Sequence, residues 1–291
     1  MSPGTDVALV FPQWQGYALD DRPQRGARAI GAALAADRLL HELAVPAWQA
    51  LSPEPSGPGG PDGGAHAGDV LGLAQIVDQA ARAGRWLETT APARLLVIGG
   101  DCGSDFAPLA WQSARLGSSL GVLYLDAHAD LNTPMSSPSG RFHGMVLRTA
   151  LGDGAAALGA LCPRPLTAAQ IVMAGTRELD APERSFLGAT GIKPWPADAI
   201  GDGRVLAAVR AHPATHWHVH LDLDVLDPVD FPEVTVPAPG GVSLATMTDF
   251  LVQLVVQRDV VSLSVTEHAG GEISARRVAG LIAALEHAGW H

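Results

Sequence analysis

Hydrophobic positions fall into two rhythms along the chain. Short β-branched or aliphatic runs at residues 6–11 (DVALVF), 93–100 (ARLLVIGG), 120–127 (LGVLYLDA), 170–176 (QIVMAGT), 215–225 (THWHVHLDLDV) and 260–267 (VVSLSVTE) predict strands. Between them, residues 25–44, 69–87, 204–212 and 244–256 repeat apolar side chains every three or four positions and predict amphipathic helices. Asp69 stands where it could cap the second of these. Alternation of strand and helix predicts an α/β fold, a three-layer αβα domain around a mainly parallel sheet. The Gly/Pro-rich stretch at 51–68 has too little chain before it to separate two domains, so it reads as a long surface loop of a single domain over residues 1–291.

Composition narrows the class. With 291 residues, 47% of them hydrophobic, the chain can bury one large core. No apolar run approaches the roughly 18 residues of a membrane-spanning helix. The first residues lack the basic and then apolar regions of a signal peptide, and two cysteines make a poor disulfide framework for this length. These features predict a cytoplasmic protein with no membrane partner. A net charge of −11 argues against nucleic acid, which calls for basic patches. It suits a small cationic substrate or a bound metal.

The candidate chemistry lies at predicted strand ends, where ligands of parallel sheets collect. In YLDAHADLNTP (124–134), Asp126, His128 and Asp130 alternate, and an extended backbone would turn all three to one side. HLDLDVLDP (220–228) repeats the arrangement with Asp222, Asp224 and Asp227. Carboxylates gathered from both clusters would repel one another without cations between them. Carboxylates with one imidazole suit Mn²⁺, and shared carboxylates suit a two-metal site.

These segments resemble the ureohydrolase family of arginases and agmatinases. Its pattern is Gly-Gly-Asp-His, then Asp-Ala-His-x-Asp, then Ser-x-Asp-x-Asp-x-x-Asp-Pro; here Gly99-Gly100-Asp101-Cys102, Asp126 to Asp130 and Asp222 to Pro228 correspond. The resemblance implies two Mn²⁺ ions bridged by Asp126 and Asp222, one completed by Cys102 and Asp130, the other by His128 and Asp224. The chemistry needs such a centre, because a guanidinium carbon is a poor electrophile and neutral water a weak nucleophile.

The segment LNTPMSSPSGRFHGM (131–145) is similar to the arginase branch. By that resemblance Asn132, Ser137 and Ser139 bind a substrate α-carboxylate, and His143 shuttles a proton. In GTRELDAPE (175–183), Asp180 falls where arginases meet the α-ammonium, and Glu183 is retained beside it. Glu267 stands at the guanidinium-binding position, so His143, Asp130 and Glu267 form the expected catalytic group. Two departures concern the substrate: Val236 replaces a threonine near the guanidinium, and Arg141 replaces an asparagine beside the carboxylate-binding loop.

Cys102 is the main departure at the metals. As a thiolate ligand it would add negative charge, make its ion less Lewis-acidic and favour softer metals; an inert buried thiol is the alternative. On the strand 216–224, His216, His218 and His220 share a face with Asp222 and Asp224. Same-face residues rise roughly 6.6 Å apart, so His216 and His218 lie too far back to reach the metals, and His220 is left as a partner to the ligands. The resemblance implies a binuclear manganese hydrolase of a guanidino amino acid, most simply L-arginine to L-ornithine and urea. Nω-hydroxy-L-arginine is the rival substrate, since ureohydrolases specialised for it also carry cysteine at this position. A catalytically silent binding or regulatory relative is the reading from a different class. Monomer and homo-oligomer both stay open.

Overall fold

The structure, a computed structural model, describes residues 6–35, 40–47 and 68–290. Its elements in chain order are β1 (Val7–Phe11), α1 (Arg22–Leu34), β2 (Leu40–Glu42), α2 (Leu73–Thr90), β3 (Leu95–Gly99), α3 (Phe106–Leu116), β4 (Leu120–Leu125), α4 (Val146–Ala150) and α5 (Ala156–Gly159). There follow β5 (Ile171–Ala174), α6 (Ala181–Thr190), α7 (Asp198–Gly201), α8 (Arg204–Ala211), β6 (His216–Asp222), α9 (Leu244–Gln257), β7 (Asp259–Thr266) and α10 (Glu272–His287). The strands form one sheet in the order β2-β1-β3-β7-β6-β4-β5, and every pair is parallel. All six predicted strands are present, and helices cover both faces, as the expected three-layer α/β fold requires.

The period of two along each strand sorts its side chains between the faces. Val10, Ile98, Leu125, Leu221 and Val265 meet Ile30 of α1, Phe250 and Leu254 of α9, and Val278 and Ile282 of α10. On the opposite face, Leu9, Phe11 and Val97 pack on Ile76 and Leu87 of α2 and Phe106 of α3. Farther along that face, Val122 and Tyr124 pack with Leu147, Met173 and Leu187. The central strands β6 and β7 break the apolar pattern there, placing His218, His220, Ser262 and Ser264 in the interior at 0% exposure.

The first predicted helix is too long. It ends at Leu34, and residues 40–42 instead form the edge strand β2 beside β1. Beyond that strand Leu43 and Val45 enter the core at alternate positions, a spacing that suits extended chain rather than helix. The second helix starts at Leu73 behind Gly72 in the left-handed region (φ 64°), so Asp69 is not its N-cap. Of the predicted loop 51–68, residues 51–67 lie outside the described residues. Helices α3, α6 and α10 complete the layers. In α10 the apolar residues Ala275, Val278, Leu281, Ile282 and Leu285 recur at helical spacing.

Because the sheet is parallel, the carboxyl ends of β3, β4, β6 and β7 open on one edge. The four are consecutive neighbours in the order β3-β7-β6-β4. That adjacency brings together Cys102, Asp126, Asp222 and Glu267, residues far apart in the chain.

Candidate active site

Each strand end delivers its side chain through a short, specific turn. After β3 the chain enters a 3-10 turn at Cys102–Asp105, capped by Asp101, whose carboxylate accepts from the Gly103 amide at 2.8 Å and the Tyr17 amide at 2.9 Å. Gly100 is needed here: a Cβ would lie 1.8 Å from the Gln13 carbonyl oxygen. After β6, Asp222 accepts from the Asp224 amide at 2.8 Å and starts a second 3-10 turn, Leu223–Val225. Residues 126–130 leave the strand altogether, and Asp130 takes φ +53°. The expectation that an extended backbone aligns Asp126, His128 and Asp130 is therefore corrected: a bend brings them together. Glu267 also sits at positive φ, +63°. Both are costly conformations for residues with a Cβ, and such strain concentrates at functional sites.

The donor atoms form overlapping groups. Asp126, His128 and Asp224 offer one atom each within 4.8 Å of one another, as do Cys102, Asp126, Asp130 and His220, and Cys102, Asp222 and Glu267. Within them, His128 Nδ1 lies 2.8 Å from Asp224 Oδ2, the Cys102 thiol donates to Asp222 Oδ2 at 2.9 Å, and the Tyr124 hydroxyl donates to Asp130 Oδ2 at 2.6 Å. Two buried atoms, Asp126 Oδ2 and His220 Nε2, have no hydrogen-bond partner. Asp227 does not join the cluster; its carboxylate instead accepts from the amides of Val229 and Gly240, both at 2.9 Å.

Charge is concentrated where water is excluded. Burial, reinforced by the charge of Asp224, pushes Asp126 up to about 6. The same two causes raise Asp222 well above the carboxylate range, and burial with the Asp126 charge does so for Asp130. Burial and the charge of Asp222 raise the Cys102 thiol. Burial opposes a charged His128, but the Asp224 carboxylate outweighs it and raises the imidazole to about 12. A divalent cation among these carboxylates would offset the mutual repulsion that raises them. The oxygen-rich set with two imidazoles, one thiol and an orphaned carboxylate oxygen fits a pair of divalent ions.

Above this floor lies a cleft of about 150 Å³. It is small beside the roughly 300–1,000 Å³ of drug-sized sites and suits a compact ligand. Cys102, His128, Asp130, Asn132, Ser137, Ser139, His143, Asp180, Glu183, Asp222, Asp224 and Glu267 all line it; Asp126, fully buried, lies beneath. Asn132 Nδ2 donates to Asp180 Oδ2 at 2.8 Å, and the Ser137 hydroxyl oxygen accepts from the Gly140 amide at 3.0 Å. Glu183 accepts from the amides of Leu131 (2.9 Å) and Asp180 (2.8 Å), closing a capping box at the start of α6. It holds the loop as well as facing the cleft. Arg141 does not line the cleft.

Glu267 is held at both carboxylate oxygens. Its Oε1 accepts from the Cys102 amide at 3.0 Å and lies 3.3 Å from His143 Nδ1, and its Oε2 accepts from the Thr235 hydroxyl. Burial would raise its pKa, but the His143 contact and the Thr235 hydroxyl hold it below the usual range. Val236 lines the cleft without a hydroxyl, while its neighbour Thr235, which sequence reasoning passed over, turns its hydroxyl to Glu267. Sequence reasoning also missed Tyr124, Asp105 and Tyr17, whose ring meets His143 edge-on at 5.7 Å. Tyr124 lies within an apolar run and Asp105 just past the turn that follows one, where nothing local marks either as part of a site.

Comparison with known proteins agrees with this geometry. The model of the arginase family matches residues 62–285. The arginase of Brevibacillus brevis is 38% identical over 180 residues, covering 59% of this chain and 57% of that protein. The arginase of Neurospora crassa is 32% identical over 219 residues, covering 70% and 60%. The matched segment therefore spans less than two thirds of the length of these relatives. Over the whole fold, the arginase structure from Bacillus caldovelox superposes with a TM-score of 0.80 at 25% identity, covering 98% of both chains. That from Bacillus subtilis gives 0.78 at 26%, covering 97% of this chain and 98% of the other. With its family pattern running over most of its length and its acidic strand ends gathered into one cleft, the chain belongs to the arginase family.

Proposed function

We propose that the chain hydrolyses the guanidino group of an α-amino acid using two divalent cations, manganese as is typical of the family, and most simply converts L-arginine to L-ornithine and urea. The observation that carries this reading is the pairing, in one small cleft, of a buried anionic floor with a mouth of amide and hydroxyl groups. Cys102, Asp126, Asp130 and Asp222 would hold one ion and His128, Asp126, Asp222 and Asp224 the other, supplying the Lewis acidity that makes water nucleophilic at neutral pH. The names of the curated relatives point the same way.

The chain's own groups account for the other requirements. Glu267, anionic and pinned at both oxygens, offers a fixed countercharge for a guanidinium. Breaking the bond between the guanidinium carbon and the substituted side-chain nitrogen leaves the ornithine amine, which must gain a proton, while the water oxygen stays on the urea carbon. His143, partly exposed and 3.3 Å from Glu267, stands between floor and solvent and can pass that proton. Ser137, Ser139 and Asn132 suit an α-carboxylate, and Asp180 suits an α-ammonium. Glu183 secures Asp180 from behind.

Cys102 favours a second reading, hydrolysis of Nω-hydroxy-L-arginine. A thiolate makes its ion less electrophilic, and an N-hydroxyguanidine, being less basic, is the easier group to attack. Steady-state assays with Mn²⁺ on L-arginine, Nω-hydroxy-L-arginine and agmatine test both readings. Charge-assisted hydrogen bonds to the amino-acid end should give a preference of about ten- to hundredfold in kcat/KM over agmatine. Equal values for agmatine and the better amino acid would refute α-amino-acid recognition. Cys102→His should shift preference toward unmodified arginine.

A further inference from the structure

The three same-face histidines of β6 have different fates. His216 Nδ1 lies 2.7 Å from Asp259, at the far end of the strand. His218 uses both nitrogens, Nε2 at 3.0 Å from Asp105 Oδ2 and Nδ1 at 2.7 Å from Ser262 Oγ. His220 uses only one: Nδ1 lies 2.8 Å from the same Asp105 oxygen, while Nε2 is buried and unpartnered. Its side chain is 0% exposed.

Asp105 settles which nitrogen of His220 carries hydrogen. Its Oδ1 accepts from Ser264 and its Oδ2 faces both imidazoles, so it is an acceptor throughout and the nitrogens facing it are donors. With the hydrogen on Nδ1, the lone pair of Nε2 points at Asp126 Oδ2, 3.8 Å away and likewise unpartnered. Two buried acceptors facing each other are unfavourable unless a cation lies between them. A hydrogen bond across that gap would be too long. Donors roughly 2.1 Å from one ion stand about 3–4 Å apart, depending on the angle between them, which matches the gap. The ring is held for the task, stacked on Tyr124 at 4.1 Å and 8°, and the Tyr124 hydroxyl in turn holds Asp130.

We infer that His220 Nε2 is a direct ligand of the ion held by Cys102, Asp126 and Asp130, and that Asp105 is the residue that positions it. The arrangement is a carboxylate–histidine–metal relay in which Asp105 fixes the tautomer and orientation of the ring and makes Nε2 a better donor. It supplies a neutral nitrogen beside the anionic Cys102. His218 braces Asp105 from the side away from the metals. The inference rests on the proposed two-metal reading and adds a ligand to it.

The test uses the full-length protein and two probes, Cd²⁺ and Mn²⁺. The wild type, labelled with ¹⁵N at histidine and loaded with ¹¹³Cd²⁺, should show two histidines coupled to the metal, His128 through Nδ1 and His220 through Nε2. In His220→Ala the Nε2-type coupling should vanish. One Mn²⁺ should also bind at least tenfold more weakly, while the other stays within about threefold of wild type. Asp105→Asn should weaken that same ion about tenfold and move the Nε2 resonance. A loaded wild type whose only coupling is of the Nδ1 type would overturn the ligand assignment and leave the two-metal reading standing. So would a His220→Ala variant that binds both Mn²⁺ ions with wild-type affinity. A folded wild type that binds neither metal would overturn both. If His220→Ala does not fold, the wild-type spectrum decides by itself.

Discussion

Two buried acidic regions face each other across the ring of His220, and they solve burial in opposite ways. Asp105 lies among donors: two imidazoles share one of its oxygens and Ser264 takes the other. Although burial would raise its pKa, the two histidines hold it well below the carboxylate range. Asp126, Asp130 and Asp222 are equally buried but mostly face one another, and their pKa values rise. The backbone follows the same division, with Asp105 in an ordinary right-handed turn at φ −82° and Asp130 forced to φ +53°. Burial alone therefore does not fix a carboxylate's state; the supply of donors does. One region is satisfied by the protein's own donors; the other leaves Asp126 Oδ2 without a partner.

The largest effect should come from removing a charge proposed to bridge the two ions. Asp126→Asn or Asp222→Asn should lower kcat/KM by roughly a thousandfold or more, the scale of losing a principal electrostatic stabiliser. Metal content measured on the same samples should fall with it. Asp222→Asn should nevertheless make the metal-free protein more resistant to urea, because it relieves repulsion. Asp105→Ala should do the reverse, leaving two imidazoles without an acceptor and costing about 3–5 kcal/mol in urea unfolding. If both substitutions shift the metal-free midpoint in the same direction, the contrast drawn between the regions is wrong.

Acid titration separates them further. Asp126 binds its proton more tightly in the native state, at about 6, than in the unfolded chain at about 3.9. Stability of the metal-free protein should therefore fall as pH rises between those values, and Asp126→Asn should flatten that slope. The contribution of Asp105, whose native pKa is depressed, is complete above about 3.9 and is lost only as pH falls below it. Mn²⁺ affinity should rise over the upper window, since the metal displaces protons. Unfolding midpoints at several pH values, with and without Mn²⁺, read out all of these.

The smallest effect concerns the rim of the site. Thr235→Val removes the hydroxyl that pins Glu267 and should lower kcat/KM about tenfold, as one charge-assisted hydrogen bond is worth. Restoring a hydroxyl with Val236→Thr in that variant should recover part of the loss if Glu267 needs only a donor, wherever it comes from.

Much of this was legible in the sequence. The strand runs and the order of DAHAD and DLDVLDP sufficed for a parallel α/β fold with acids at its carboxyl edge, because period and strand-end position are local properties. Of those motifs, His128, Asp130, Asp222 and Asp224 line one cleft, with Asp126 buried beneath it and Asp227 turned elsewhere. What stayed hidden depends on contacts across the chain. Asp105 meets His220 over a separation of 115 residues, and Thr235 meets Glu267 over 32. The edge strand β2 falls inside the predicted helix because Leu40 and Leu43 keep a three-residue spacing, and only pairing with β1 marks the segment as strand. Strand spacing sets His216 and His218 back from the acidic cleft, where they meet Asp259, Ser262 and Asp105, but it could not reveal that Asp105 occupies one nitrogen of His220 and leaves the other free.

The central claim is that the acidic floor is a binuclear cation site, so the direct measurement is Mn²⁺ binding to chelator-stripped, folded protein. Calorimetry with elemental analysis should give two ions per wild-type chain and fewer than two for Asp126→Asn, with thermal stability rising on binding only in proportion to occupancy. A folded wild-type protein that takes up no Mn²⁺, or an Asp126→Asn variant that binds two ions as tightly as wild type, would contradict it.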